Sequence, residues 1–331
     1  MPTHYLYGTI LTGEAVAANN RGDNIGNTTT LQKVFHQDDL HTSVSAESIR
    51  FAIRYRFQLE GLDVNRSYDP EAGKLDYEDE KRTRWNPKGD VFIDDDLMGF
   101  MDAAAAQQES EEEAAAETGE AAEQNSAPAK GARKPKAKGK TTKRPSPLAI
   151  GRAVSLRPYR GEISFNAVSG EKAKGKLSLY NAEMHTTEYQ YSFGLNLGDV
   201  VKKENINHLI DAIVDPTQVA GNHARFAYDF SPASIVLRVT GAHSSKIQNC
   251  FEHDEAHRTY TIERLIQRIE SKDIAADELI VGGELASTEE GAKLEQLGVS
   301  VHKGVKAAAD EARQRIARRS AEFASLSSNG G

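Results

Sequence analysis

Few residues of this 331-residue chain have types and spacing suited to chemistry, and each lacks a partner that the chemistry needs. Gly170-Glu171-Lys172-Ala173-Lys174-Gly175-Lys176 has the spacing of a phosphate-binding loop up to its lysine. Leu177 stands where a magnesium-binding hydroxyl belongs, and Leu177-Ser178-Leu179-Tyr180 alternates like a strand instead of opening a helix. His253 and His257, with Cys250 before them, imitate half of a zinc-hydrolase motif if that segment is helical. The nearby glutamate is Glu255, not the residue after the first histidine, so a general base would be misplaced. The plainer reading of 249–258 is a polar loop before a helix. Asp23 lies among Gly and Asn residues, where a short carboxylate commonly shapes an Asx-turn. Catalysis would need a second acid, a base or a metal beside it. No catalytic residue, metal site or cofactor is expected, and one cysteine excludes an internal disulfide.

The chain offers instead groups that can hold a polyanion. Asn19-Asn20-Arg21-Gly22-Asp23-Asn24-Ile25-Gly26-Asn27-Thr28-Thr29-Thr30 is a loop rich in backbone and amide donors, and a helix from about Ser45 to Gly61 carries Arg50, Arg54 and Arg56. Guanidinium forks match phosphate oxygens, and helix N-termini favour anions. The formal net charge of −8 argues against indiscriminate nucleic-acid binding, but the charge is uneven. Residues 62–100 hold 11 acids and 6 bases, whereas 130–176 hold 14 bases and 2 acids, Arg152 and Arg157 among the bases.

The elements that must position these groups follow from periodicity. Ile49, Ile53 and Phe57 recur at helical spacing, Ser45 can cap the start, Glu47 suits the first turn and Gly61 the stop. Period-two alternation predicts strands over 161–168, over 187–195 with Tyr189, Tyr191, Phe193 and Leu195 on one face, and over 234–240. Helices are expected at 205–214, 259–271 and about 303–323, with a last strand at 278–281. Few strands with interleaved helices predict an α+β body. Residues 101–147 differ: a glutamate-alanine tract leads into a lysine-proline-glycine tract, and blocks of like charge with little apolar surface cannot offset the entropy of ordering. They read as a disordered, acidic-then-basic insertion in a single discontinuous domain made of 1–100 and 148–331. No apolar run approaches the roughly 18 residues that span a bilayer, and the N-terminus lacks a secretory pattern, so a cytoplasmic protein without a membrane partner is expected.

Several segments together resemble a family. The N-terminal loop, Val44-Ser45-Ala46-Glu47-Ser48-Ile49-Arg50-Phe51-Ala52-Ile53-Arg54, Ser146-Pro147-Leu148 with Ala153-Val154-Ser155-Leu156, and Glu188-Tyr189-Gln190-Tyr191-Ser192-Phe193 are similar to the backbone subunit of type I CRISPR Cascade complexes, in its DevR-like branch (type I-B). Gly221-Asn222-His223-Ala224-Arg225, Asp229-Phe230-Ser231-Pro232, Ile280-Val281-Gly282-Gly283-Glu284 and Leu297-Gly298-Val299 follow in the same order. The resemblance implies a modified ferredoxin-like or RNA-recognition-motif palm, a thumb hairpin and finger insertions. It implies copies stacked head to tail on CRISPR RNA as a helical ribonucleoprotein of antiviral defence, with a target DNA strand paired to the guide and other Cascade subunits as partners. The stacking aromatics of free-standing RNA-recognition motifs are not recognisable in Leu6-Tyr7-Gly8-Thr9, which suits a grip on phosphates. Carried over by position, Arg21, Asn24, Ser45, Arg50 and Arg54 are the expected guide contacts, with Arg152 and Arg157 second in rank. A thumb near 165–183 would present Lys174 and Lys176 at its tip. The alternative is a type III-like subunit that cleaves target RNA through Asp23.

Overall fold

The computed structural model describes residues 4–18, 21–36, 38–86, 88–101, 143–167, 179–219, 228–257 and 259–328. Its centre is a nine-stranded sheet: β1 (Tyr5–Thr12), β2 (Lys33–His36), β3 (Asp39–Val44), β4 (Leu148–Ile150), β5 (Ala153–Ser155), β6 (Tyr189–Asn196), β7 (Pro232–Thr240), β8 (Leu279–Gly283) and β9 (Ser300–His302). The order across it is β9-β8-β7-β1-β6-β5-β3-β2, with β4 also on β6. β1 lies between two antiparallel neighbours, Ile10 opposite Tyr191 on one side and Ile235 on the other. Gly8 is required there, because a Cβ would come within 2.2 Å of the Phe193 ring.

The six helices among the described residues are α1 (Ala46–Leu59), α2 (Ile93–Met98), α3 (Asn205–Val214), α4 (Glu263–Glu270), α5 (Glu289–Gln296) and α6 (Val305–Ser328). One face of the sheet buries Leu6, Ile10, Tyr189, Tyr191, Phe193 and Leu195 against α1, α3 and α6. Burying each such side chain contributes about 1.5–3 kcal/mol. The opposite face packs Leu11, Val236, Leu279 and Val281 on α4 and α5. The α1 boundaries follow local chemistry. Ser45 accepts from the Ser48 N–H at 3.2 Å, and Gly61, at φ +71°, ends the helix while Leu62 N–H reaches back to the Phe57 carbonyl at 3.0 Å.

The α+β class and most expected elements agree with the structure; four details differ. The body is rich in strands, because short extended segments that periodicity cannot resolve are recruited by neighbours distant in sequence. The helix expected from 259 begins at Glu263, since Thr259–Thr261 pairs with Glu252–Asp254 as a hairpin. That hairpin also removes the helical spacing of His253 and His257. The loop at 19–30 contains the strand pair Arg21–Ile25 and Thr28–Leu31, turning at Gly26 with φ +60°. Finally, the chain belongs to the body through Met101 and again from Lys143: Lys143 pairs with Met101 and Arg144 with Phe100, within the span read as an insertion. Residues 102–142 lie outside the described residues.

Candidate nucleic-acid interface

The expected contact residues fall into three groups. Around the N-terminus of α1, Ser45 caps the helix and Arg152, exposed, reaches Ser43 Oγ at 3.3 Å and Gln32 Oε1 at 3.2 Å. This is possible because β5 pairs with the end of β3, Val44 opposite Ala153. Arg50, in the second turn, donates to the Leu148 carbonyl at 2.6 Å and reaches Ser146 Oγ at 3.4 Å. Neither arginine makes an ion pair among the described residues, so both charges add to the positive end of the helix dipole. Gln32 and Ser43 were not legible as part of this patch, because strand pairing alone brings them to Arg152.

A second group turns inward. Arg54 is 12% exposed and pairs with Asp94 at 3.3 Å; burial pushes its guanidinium down to about 10. Arg157 is held by both oxygens of Glu188 at 3.0 Å and by Glu14. These two guanidiniums are each engaged by carboxylates of the chain itself.

The third group is the five-stranded sheet beside the main one. Asn24 is exposed and opposite Thr29; Thr29 pairs with Ala182 in Leu179–Thr187, and Ala182 with Ser164 in Glu162–Ala167. The strands that flank the hairpin expected near 165–183 therefore join Thr28–Leu31, which separates them from the Asn24 strand. The side chains of Arg21 and Asp23 are not described, and Lys174 and Lys176 lie outside the described residues, as does the phosphate-loop-like segment.

Sequence reasoning missed the buried acidic cluster that holds this region. Asp94, Asp95 and Asp96 on α2 are 0%, 2% and 0% exposed. Asp94 receives Arg54 and Arg66, Asp95 receives Arg66 and Arg82, and Asp96 receives Arg144 at 2.7 Å. Asp96 also accepts the N–H groups of Val201 and Lys202 and the Asn205 amide, tying the start of α3 to the return of the chain at Arg144. Burial raises the Asp95 carboxyl. A signal existed: three adjacent acids after Phe92-Ile93 beside Arg66, Arg82 and Arg84, in the acid-rich stretch of 62–100.

Among the described residues no three His, Cys, Asp or Glu side chains converge on a point that could hold a metal. The Cys250 thiol is buried and pushed up to about 12, and His257 is paired with Asp254 at 2.7 Å. No helix among the described residues is long and apolar enough to cross a membrane.

A model of the family described as CRISPR-associated negative auto-regulator DevR/Csa2 matches residues 10–317. The chain belongs to this family. It is 34% identical over 321 residues to the CRISPR-associated protein Cas7/Cst2/DevR of Myxococcus xanthus (strain DK1622), with 94% of this chain and 97% of that protein covered. Its fold matches a chain of a CRISPR RNA-guided surveillance complex in the pre-nicking state, with TM-score 0.53, 14% identity, and coverage of 93% of this chain and all of the other. A chain of a further CRISPR RNA-guided surveillance complex matches with TM-score 0.50 at 14% identity, covering 93% and 99%. The resemblance read from the ordered segments thus extends over nearly the whole DevR/Csa2 chain, and the mixed α+β fold is one found in these complexes.

Proposed function

We propose that this DevR/Csa2 family member is a non-catalytic backbone subunit of a CRISPR surveillance complex. Copies line up head to tail on CRISPR RNA, hold its phosphates, and leave the bases to pair with target DNA beside other subunits of the complex. One observation supports this most. Of the arginines expected to contact the guide, Arg50 and Arg152 form no ion pair among the described residues, and both lie at the Ser45-capped start of α1. Two guanidiniums without an ion pair among the described residues and a helix N-terminus make a local anion site on a chain whose net charge is −8. Backbone-directed contacts of this kind suit single-stranded RNA whose specificity comes from base pairing. Heterologous stacking that does not close produces an open array, so length is set by the RNA.

Co-expression with a repeat-spacer RNA tests the reading. RNA-containing particles whose mass grows with guide length are expected; RNA-free monomers under those conditions would overturn it. Incubating the loaded particles with complementary DNA and RNA in magnesium or manganese should give DNA binding without cleavage. Regular RNA cutting lost in Asp23→Ala would replace this reading with that of an endoribonuclease.

A further inference from the structure

A groove of about 640 Å³ runs between α1 and the hairpin formed by Arg66–Asp69 and Lys74–Tyr77. Its walls are aromatic. Phe51 and Tyr55, one helical turn apart, hold nearly parallel rings with centres 6.0 Å apart, and the Tyr68 ring stands nearly perpendicular to both at 5.1 and 5.8 Å. Pro70 and Leu75 complete the lining; Leu75 lies opposite Tyr68 in the hairpin and is 47% exposed. Aromatic grooves accept proline-bearing segments, whose fixed φ keeps the ordering cost of binding low. Arg54 also borders the groove, but Asp94 already holds its guanidinium.

Charge and reach together select an occupant. Residues 69–80, the turn and outgoing strand of the hairpin, carry six acids and one base, and Glu71, Asp76 and Glu80 are exposed without an ion pair among the described residues. Residues 130–143 carry seven bases and no acid, with Pro135 between Lys134 and Lys136. The glutamates at 109–123 offer those lysines charge but no aromatic surface for the proline. The chain returns to the body at Lys143, opposite Met101 and next to Phe100. Arg82 links this root to the groove's hairpin, its guanidinium 5.1 Å from the Phe100 ring and 5.3 Å from that of Tyr77. Pro135 lies eight residues before Lys143. A stretch of that length reaches roughly 25 Å at about 3.1 Å per residue.

We propose that this groove docks the chain's own segment 133–138, with Pro135 against the Phe51, Tyr55 and Tyr68 rings and Lys134, Lys136 and Lys138 towards the acids of 69–80. The inference does not depend on guide holding. It adds a state in which the body occupies these lysines and withholds them from nucleic acid. The short connection gives the segment an effective concentration on the order of 1 mM, which fills a weak site much of the time and adds little to folding stability.

The test follows trypsin cleavage of the full chain after Lys136, Lys138 and Lys140 by mass spectrometry, in wild type and in the combined variant Glu71→Gln, Leu75→Thr, Asp76→Asn. All three positions are exposed and none of the substitutions creates a tryptic site. Melting curves are recorded for both proteins; if the triple variant melts early, Glu71→Gln with Asp76→Asn decides the matter. Cleavage about threefold faster in the variant, as for a site about two-thirds filled in wild type, is expected at every protein concentration. Equal rates in the two proteins would overturn the proposal, and if single-stranded RNA then slows both alike, the lysines serve as a nucleic-acid tether. Protection of wild type only at high protein concentration would also overturn it, by assigning the groove to a second copy.

Discussion

Arg50 and Arg54 stand one helical turn apart and do different work. Arg50 forms no ion pair among the described residues, while Arg54 is enclosed with Asp94. Arg50→Ala with Arg152→Ala should leave the melting temperature nearly unchanged and weaken guide binding. Losing two phosphate contacts should reduce the slope of log affinity against log salt by about 1.4 for single-stranded RNA, read from titrations at several salt concentrations. Arg54→Ala should instead unfold more readily, by about 1–3 kcal/mol in urea. Removing one partner of a buried pair costs roughly 3–5 kcal/mol, and here Arg66 still holds Asp94. A stable Arg54→Ala with a reduced salt slope would reverse these assignments.

Histidine protonation adds a pH dependence. His185, bonded to Thr42 Oγ1 at 2.8 Å, is pushed down to about 4 by burial, and His41 is lowered for the same reason. The unfolded chain takes up a proton near pH 6.5 that folded His185 refuses. Stability is therefore full above that pH and falls as pH drops from about 6.5 towards 4, at about 1.4 kcal/mol per pH unit for each such histidine. Urea unfolding at pH 7, 6 and 5 measures the slope. His185→Gln should flatten it, and an unchanged slope would place the titration elsewhere.

At the scale of elements, the six-residue α2 holds more together than its length suggests, because its three aspartates receive donors from α1, from 65–66, from Arg144 and from the start of α3. Asp96→Ala would leave two N–H groups and the Asn205 amide without their acceptor, and Arg144 without its carboxylate partner though still bonded to the Asp96 and Asp199 carbonyls. A loss of about 3–5 kcal/mol is expected in chemical unfolding, with hydrogen exchange rising first at 199–205 and 143–146. A variant as stable as wild type would show that water replaces the carboxylate without cost.

For the whole molecule, the long acidic-then-basic tract enters and leaves the body at one place, with Met101 opposite Lys143. Deleting residues 105–140 should shift the melting temperature little, because the ends already meet and loop-closure cost grows slowly with length. A large drop would mean that the tract folds against the body. Unaltered stability with weaker assembly or DNA binding would identify its lysines as an electrostatic tether.

The residues of α1 specify its start, buried stripe and stop locally, through Ser45, the Ile49/Ile53/Phe57 spacing and Gly61, and β6 declares its apolar face by alternation. The family was legible as well, since its segments keep their order along the chain. Which charges are free was not legible. Arg50, Arg54, Arg152 and Arg157 are alike as residue types, and only the docking of α2 on α1 and the position of Glu188 beside 157 neutralise Arg54 and Arg157. The same holds for Asp94, Asp95 and Asp96, which in the sequence are only part of the acid-rich stretch 62–100 and in the fold form a buried anchor. Periodicity reports the local preference of a segment for water or core. The pairing of charges depends on partners about 30 to 50 residues away, as between Arg66 and Asp94 or Asp96 and Arg144, and only the tertiary structure brings those together.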